Sequence, residues 1–186
     1  MKKAVFLDKD GTLVENVHYN ADPEKVRLLP YAAEALKQLQ DDGFLLIVVS
    51  NQSGVALGYF TEAQVEAMKE TVSGMLEDEH VFLYDFYYCP HLPRGQVAAY
   101  SKACDCRKPR PGMLLRASEE HDIDLAKSWM IGDILDDIEA GRNAGCRTIL
   151  IDNGNETEWV LQPQRSPHFM VDDLKEAAAI ILKFKQ

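Results

Sequence analysis

Six short runs rich in apolar, β-branched and aromatic residues divide the chain, at 4–7, 45–49, 85–88, 128–131, 148–151 and 169–171. Several are apolar almost throughout, without the in–out alternation of a half-exposed strand. That pattern predicts strands covered on both faces of a parallel sheet. Between the runs, apolar residues recur at helical spacing. Pro30 is expected to open a helix that ends near Gly43, with Ala33, Leu36 and Leu39 on its inner face. Thr61 and Gln64 have the spacing of a capping box, and Val65, Met68, Val72, Met75 and Leu76 follow at helical period. Residues 112–121 and 134–144 also read as helices, the second stopped by Gly145, and Asp172 or Asp173 can cap a last helix through Leu182. This alternation of strand and helix predicts an α/β fold: a doubly wound, Rossmann-like parallel sheet in one domain spanning 1–186. No internal repeat, low-complexity stretch or linker interrupts it.

One region breaks the rhythm. Residues 89–112 carry four prolines, three cysteines and a histidine, and read as a long loop. Loops of that length in compact domains are usually functional. Cys89-Pro90-His91 and Cys104-Asp105-Cys106 supply three thiols and one imidazole, the donor set of a structural Zn²⁺ site. The spacing is not that of a zinc finger, and the alternative is a set of unrelated thiols in a loop. A closed zinc site would fix the backbone just before Arg107 and Lys108 and aim both cations. Cys146, after Gly145, reads as a buried thiol.

Composition narrows the setting. With 20 basic and 30 acidic residues the net charge is −10, which argues against a nucleic-acid or anionic-membrane binder. The opening Met1-Lys2-Lys3 followed by apolar residues has the start of a signal peptide, but Asp8 ends the run too early. No stretch approaches the roughly 18 apolar residues of a membrane span. A cytoplasmic location is expected, where cysteines serve as ligands or buried thiols before disulfides.

Ligands of doubly wound sheets bind at the carboxyl ends of the strands, and four such places are chemically loaded. The first holds Asp8-Lys9-Asp10-Gly11-Thr12 and the second Ser50-Asn51-Gln52-Ser53-Gly54. Lys108-Pro109 follows the long loop, and Gly132-Asp133 precedes Asp136 and Asp137. A lone Asp-x-Asp is a weak signal. All four motifs in this order resemble the haloacid dehalogenase superfamily over nearly the whole chain.

That resemblance implies a Mg²⁺-dependent phosphohydrolase, and the chemistry accounts for the residue types. Phosphate monoesters are inert toward water, so the reaction is split through a covalent intermediate. Asp8 would attack phosphorus; Asp10 would protonate the leaving alkoxide and then deprotonate water. Mg²⁺ would be held by Asp8, the backbone carbonyl of Asp10 and Asp133. Ser50 and amides near Asn51 would donate to phosphoryl oxygens, and Lys108 would neutralise the transferring group. Asp137 would orient Lys108 or a metal-bound water, whereas Asp136 has no slot and reads as surface. About 40 residues separate Asp10 from Ser50, too few for an inserted cap domain, and the next interval leaves no room either.

Within the superfamily, Asn51-Gln52-Ser53-Gly54, the Cys-Pro-His and Cys-Asp-Cys-Arg-Lys-Pro segments and Pro111-Gly112-Met113-Leu114 resemble the D-glycero-D-manno-heptose 1,7-bisphosphate 7-phosphatases, which serve surface-glycan synthesis. The likeness implies a small phosphorylated-sugar substrate, a monomer, and substrate contacts by Asn16, Val17, His18, Tyr19, Ser50, Asn51, Gln52, Ser53, Arg107 and Lys108. Arg107 could grip the phosphate that is not removed; Arg110 could assist or be an exposed loop cation. Two positions depart from the family pattern. Asn16-Val17-His18-Tyr19 stands where Asp-His-Gly-Tyr is common, and Ile134 stands where a lysine is common. Three other readings stay open: histidinol-phosphate or another sugar-phosphate phosphatase, a DNA 3′-phosphatase, and a non-catalytic binding module.

Overall fold

In the computed structural model, which describes residues 1–184, the six runs form one all-parallel sheet ordered β3-β2-β1-β4-β5-β6. The strands are β1 (Ala4–Leu7), β2 (Leu45–Asn51), β3 (Asp85–Cys89), β4 (Trp129–Gly132), β5 (Arg147–Ile151) and β6 (Phe169–Val171). The helices are α1 (Ala32–Asp41), α2 (Gly54–Leu57), α3 (Glu62–Glu77), α4 (Gly112–His121), α5 (Leu135–Ala144) and α6 (Leu174–Lys183).

The strands are buried on both faces because helices cover both. Val5, Leu7, Leu46, Val48, Ile131 and Ile149 turn toward α1, α3 and α6, against Leu36, Leu39, Met68, Val72 and Ile181. The alternate residues Ala4, Phe6, Ile47, Val49 and Met130 turn toward α4 and α5, against Met113, Leu114, Ala117 and Ala140. Every residue of β1 is fully buried, so its apolar run has no polar position to spare.

Helix starts follow local chemistry. Thr61 and Gln64 cap α3 reciprocally, and the Asp173 carboxylate accepts the Glu176 amide at 2.9 Å to start α6; each such cap is worth about 1 kcal/mol. Pro30, contrary to expectation, does not open α1. Tyr31 takes φ 63°, in the left-handed region, and the Ala32 amide donates to the Leu29 carbonyl. Pro30 thus belongs to a turn, and the helix begins two residues later. The four-residue α2 continues directly from the second motif and is stopped by Gly58 at φ 76°.

The strand order reverses direction between β1 and β4, which makes the carboxyl ends of these two neighbours the switch point at which a doubly wound sheet opens a crevice. Among the described residues, the β1–β2 interval holds a loop, one helical turn and α1, and the β2–β3 interval holds α2 and α3. Neither is an inserted domain, so the crevice stays uncapped. No helix of the described residues is long and apolar enough to cross a membrane.

Candidate active site

At the switch point β1 delivers Asp8 and β4 delivers Asp133, while α5 brings Asp137 from one turn further on. Oxygens of these three buried carboxylates lie within 4.8 Å of one another. The turn that follows Asp8 requires glycine. Gly11 sits at φ 86°, and a β-carbon there would lie 2.1 Å from Asp133 Oδ2. Thr12 Oγ1 donates to Asp133 Oδ1 (3.2 Å) and Asn155 Nδ2 to Oδ2 (2.7 Å). Asn153 Nδ2 binds the Gly11 carbonyl at 2.6 Å and ties the same loop to the end of β5.

Lys108 enters this cluster with its ammonium buried. Nζ donates to Asp8 Oδ1 (2.5 Å) and the Val49 carbonyl (2.7 Å), and lies 2.7 Å from Asp137 Oδ1. Its backbone is held by a reciprocal pair: Asn51 Nδ2 donates to the Lys108 carbonyl and the Lys108 amide to Asn51 Oδ1, both at 3.0 Å. Three carboxylates and one ammonium sum to −2 in a largely buried space at the floor of a cleft. Asp133 is accordingly pushed up to about 8, by burial first and then by Asp8 and Asp137. Asp137 rises to about 7, through burial, with Lys108 opposing and Asp8 adding. Burial also works against the charge of Lys108, but Asp137 and Asp8 outweigh it and hold the ammonium above its usual range. A crowded set of hard oxygen donors, short of positive charge, fits a divalent cation such as Mg²⁺.

Asp10 stands apart from that cluster. Its Oδ1 takes the Lys9 ammonium at 2.6 Å and its Oδ2 the Gln52 amide at 3.2 Å. Burial is the leading influence and raises its carboxyl above the ordinary value; Asp8 adds to the rise, and Lys9 and Gln52 oppose it. Gln52 Nε2 also donates to Ser50 Oγ at 2.8 Å, which leaves the Ser50 hydroxyl hydrogen free to point elsewhere.

The long loop gathers its soft donors as a second cluster. Cys89, His91, Cys104 and Cys106 bring ligand atoms within 4.8 Å of one another, and all the cysteines are free thiols. Cys106 Sγ lies 2.8 Å from Cys89 Sγ, 3.2 Å from Cys104 Sγ and 3.3 Å from His91 Nδ1. The close contact with Cys89, and then with Cys104 and His91, draws the Cys106 thiol down to about 5, while Cys89 is pushed up as the proton-keeping partner. Two pairs of donors facing one point, three sulfurs and one nitrogen, fit a tetrahedral Zn²⁺. The middle of the loop has its own anchor. The Gln96 and Val97 amides both donate to the Ala56 carbonyl (2.7 and 2.9 Å), and Tyr100 Oη donates to Glu62 Oε2 (2.7 Å).

A cleft of about 220 Å³ opens over the carboxylate cluster and Asp10. It is lined by Asp8, Asp10, Asn16, Val17, His18, Tyr19, Asn51, Gln52, Ser53, Lys108, Asp133, Ile134 and Asp137, together with Asn20, Gly54, Phe60 and Asn155. Ser50 lies behind the wall, reached through Gln52. Arg107 stands at the rim: its Nη1 donates to Ser53 Oγ (2.5 Å) and to the His91 carbonyl (3.3 Å), linking the thiol cluster to the cleft. Arg110 points away, paired with Asp105 at 2.8 Å in an exposed position. Asp136 pairs with Arg165 at 2.8 Å outside the cleft.

Sequence reasoning missed four contributors. Thr12 and Asn155 hold Asp133. Glu156 accepts the Leu135 amide at 2.6 Å, capping α5 where Ile134 has no polar atom to do so. Lys9 is buried against Asp10 rather than exposed. For Asn155 and Glu156 a signal existed: Asp152-Asn153-Gly154-Asn155-Glu156 is a polar run directly after a buried strand, at the carboxyl edge of the sheet.

Comparison with known proteins gives the same picture. A family model described as HAD-hydrolase-like matches residues 105–177. A D-glycero-beta-D-manno-heptose-1,7-bisphosphate 7-phosphatase of Haemophilus ducreyi is 45% identical over 155 residues, covering 82% of this chain and 85% of the relative. The enzyme of that name from Escherichia coli K12 is 42% identical over 167 residues, covering 85% and 87%. A putative HAD-like phosphatase from Mesorhizobium loti superposes with a TM-score of 0.86 at 32% identity, covering 100% of this chain and 88% of that one. The D,D-heptose 1,7-bisphosphate phosphatase of B. bronchiseptica, crystallised with magnesium and phosphate, gives 0.81 at 26% identity, covering 98% and 99%.

Proposed function

The chain belongs to the family of D-glycero-beta-D-manno-heptose-1,7-bisphosphate 7-phosphatases, and we propose that it catalyses the reaction of that name, through an aspartyl-phosphate on Asp8. The observation that carries the reading is the division of labour between two carboxyls lining one cleft. Asp8 sits in the carboxylate cluster on the Lys108 ammonium, whereas Asp10 stands outside that cluster, held by Lys9 and Gln52, and burial outweighs them to push it toward its protonated form. A carboxyl in the metal-binding cluster and a second one outside it suit a nucleophile and a proton donor.

In the first step an Asp8 oxygen bonds to phosphorus as the bond from phosphorus to the sugar oxygen breaks, and Asp10 gives its proton to the leaving alkoxide. In the second step Asp10 takes a proton from water as the water oxygen attacks phosphorus, releasing inorganic phosphate and Asp8. Lys108 balances the charge of the group in transfer, and the amides near Asn51 receive its oxygens, with Ser50 supporting the wall behind them through Gln52. Mg²⁺ held by Asp8, Asp133 and the Asp10 carbonyl would supply the remaining positive charge. Asn16, Val17, His18, Tyr19, Gln52 and Ser53 would border the sugar, and Arg107 at the rim would grip the phosphate that stays. Zn²⁺ on Cys89, His91, Cys104 and Cys106 would be structural. A single domain, a cytoplasmic location, where the free thiols would keep, and a monomeric state complete the proposal.

The test is a kcat/KM comparison in Mg²⁺ between heptose 1,7-bisphosphate and histidinol phosphate. A preference for the bisphosphate of at least about 10²-fold is expected, since a site built for a second phosphate loses those contacts with the monophosphate. Equal values, or a preference for histidinol phosphate, would reassign the substrate.

A further inference from the structure

We infer that Lys9, the residue between the two motif aspartates, is a positioning residue that locks the Asp10 carboxyl so that only Oδ2 faces the reacting oxygen. Lys9 is 2% exposed and does not border the cleft, so it cannot meet the substrate. Its ammonium has two partners among the described residues: Asp10 Oδ1 at 2.6 Å and the Met68 thioether sulfur at 2.8 Å. A thioether is a weak acceptor, so Asp10 is in effect the sole strong partner of a buried cation. Such a pair is directional from the lysine side, because the sealed ammonium cannot turn to water instead, whereas Asp10 borders the cleft.

The two oxygens of Asp10 are therefore inequivalent. Oδ1 is fixed from behind by a charged donor. Oδ2 is approached from the cleft side by Gln52, whose amide lies 3.2 Å away and is shared with Ser50 at the shorter distance of 2.8 Å. A substrate oxygen can displace that longer contact, whereas it cannot reach the Lys9 contact. The proton given to the leaving alkoxide, and later taken from water, passes through Oδ2. Without Lys9 the carboxyl can rotate about its Cβ–Cγ bond, and the near-attack arrangement is populated less often.

The inference rests on Asp10 as the proton donor, so the experiment separates the two. kcat/KM reports steps up to aspartyl-phosphate formation and is measured for an alkyl phosphate, whose leaving oxygen needs a proton, and for p-nitrophenyl phosphate, whose leaving group needs none. The ratio of the two values on one preparation does not depend on the fraction of active protein. Lys9→Met should lower the alkyl value about 10- to 100-fold, a fraction of what general acid catalysis contributes, and the aryl value by less than about threefold. Lys9→Gln, which keeps a donor, should fall between wild type and Lys9→Met and covers the case in which Lys9→Met does not fold. In an Asp10→Asn background, Lys9→Met should change the ratio no further. Equal losses on both substrates, an unchanged ratio, or additivity with Asp10→Asn would overturn the role of Lys9. A lack of leaving-group selectivity in Asp10→Asn itself would instead overturn the reading of Asp10.

Discussion

The carboxylates of Asp8, Asp133 and Asp137 and the sulfurs and imidazole of Cys89, His91, Cys104 and Cys106 gather at the same edge of the sheet, on opposite plans. The first set offers three hard oxygen donors, shares them with an internal lysine, and borders a cleft. The second offers four softer donors from two close pairs, enough to close a tetrahedron with nothing left over. An open set leaves room for a substrate oxygen; a closed set can only hold backbone in place. The thiol and imidazole cluster meets the cleft through Arg107 and Lys108, which follow its last cysteine.

The sharpest way to break that contrast is Asp8→Asn. Turnover should fall by about 10³-fold or more, while circular dichroism and Tm stay close to wild type, since the substitution removes one of three mutually repelling carboxylates. Retained phosphatase activity in phosphate-release assays would end the assignment. Removing Zn²⁺ with a chelator, or making Cys104→Ser, should lower both Tm and kcat/KM. The expected loss of kcat/KM is about 10- to 100-fold, as for outer-shell supports of a metal site, because Ala56 and Glu62 still hold the middle of the loop. Full activity in zinc-free protein would show that the closed cluster does not aim the cations. Asn155→Ala, which frees one oxygen of Asp133, should weaken Mg²⁺ activation about tenfold with little change at saturating Mg²⁺. An unshifted Mg²⁺ titration would remove Asn155 from the site.

The smallest effect is on stability against pH. In metal-free protein Asp133 and Asp137 hold protons up to about 8 and about 7, whereas carboxyls in the unfolded chain release them near 3.8. Between those limits the native state binds more protons than the unfolded state, so stability falls as pH rises. Tm measured without metal should drop by several degrees, on the order expected for a few kcal/mol in a chain of this size, from pH 5 to 8. Saturating Mg²⁺ displaces the protons and should flatten the slope. A metal-free Tm that climbs over this range would contradict the crowding described for the cluster.

The strands were legible because the sheet is buried on both faces, so hydrophobicity alone marked 4–7 and 148–151. α3 was legible from a local device, its capping box. Pro30 misled because a proline can preset a turn as readily as a first helical turn, and only tertiary packing chose. The roles of Thr12, Asn155 and Glu156 were hidden for a different reason: each acts on a residue far away in sequence, as Asn155 does on Asp133, and no local pattern encodes such a pairing. The burial of Lys9 was hidden by its own type, since lysine is rarely enclosed. The placement of Arg107 at the rim, on Ser53, depends on how the loop docks, which spacing does not specify.

That docking has an evolutionary consequence. The centre of the long loop is attached through backbone, two amides on the Ala56 carbonyl, and Gly95 passes so close that a β-carbon would lie 2.7 Å from that carbonyl oxygen. Main-chain contacts ignore side-chain identity, so outward-facing positions of the loop can drift freely. Its length cannot, because a deletion between Pro93 and Ala103 would lift the amides off Ala56 or pull a donor out of the cluster of Cys89, His91, Cys104 and Cys106. Selection on this loop should therefore show as tolerance of substitution with intolerance of insertion and deletion, and lineages that changed its length would have had to rebuild the rim where Arg107 stands.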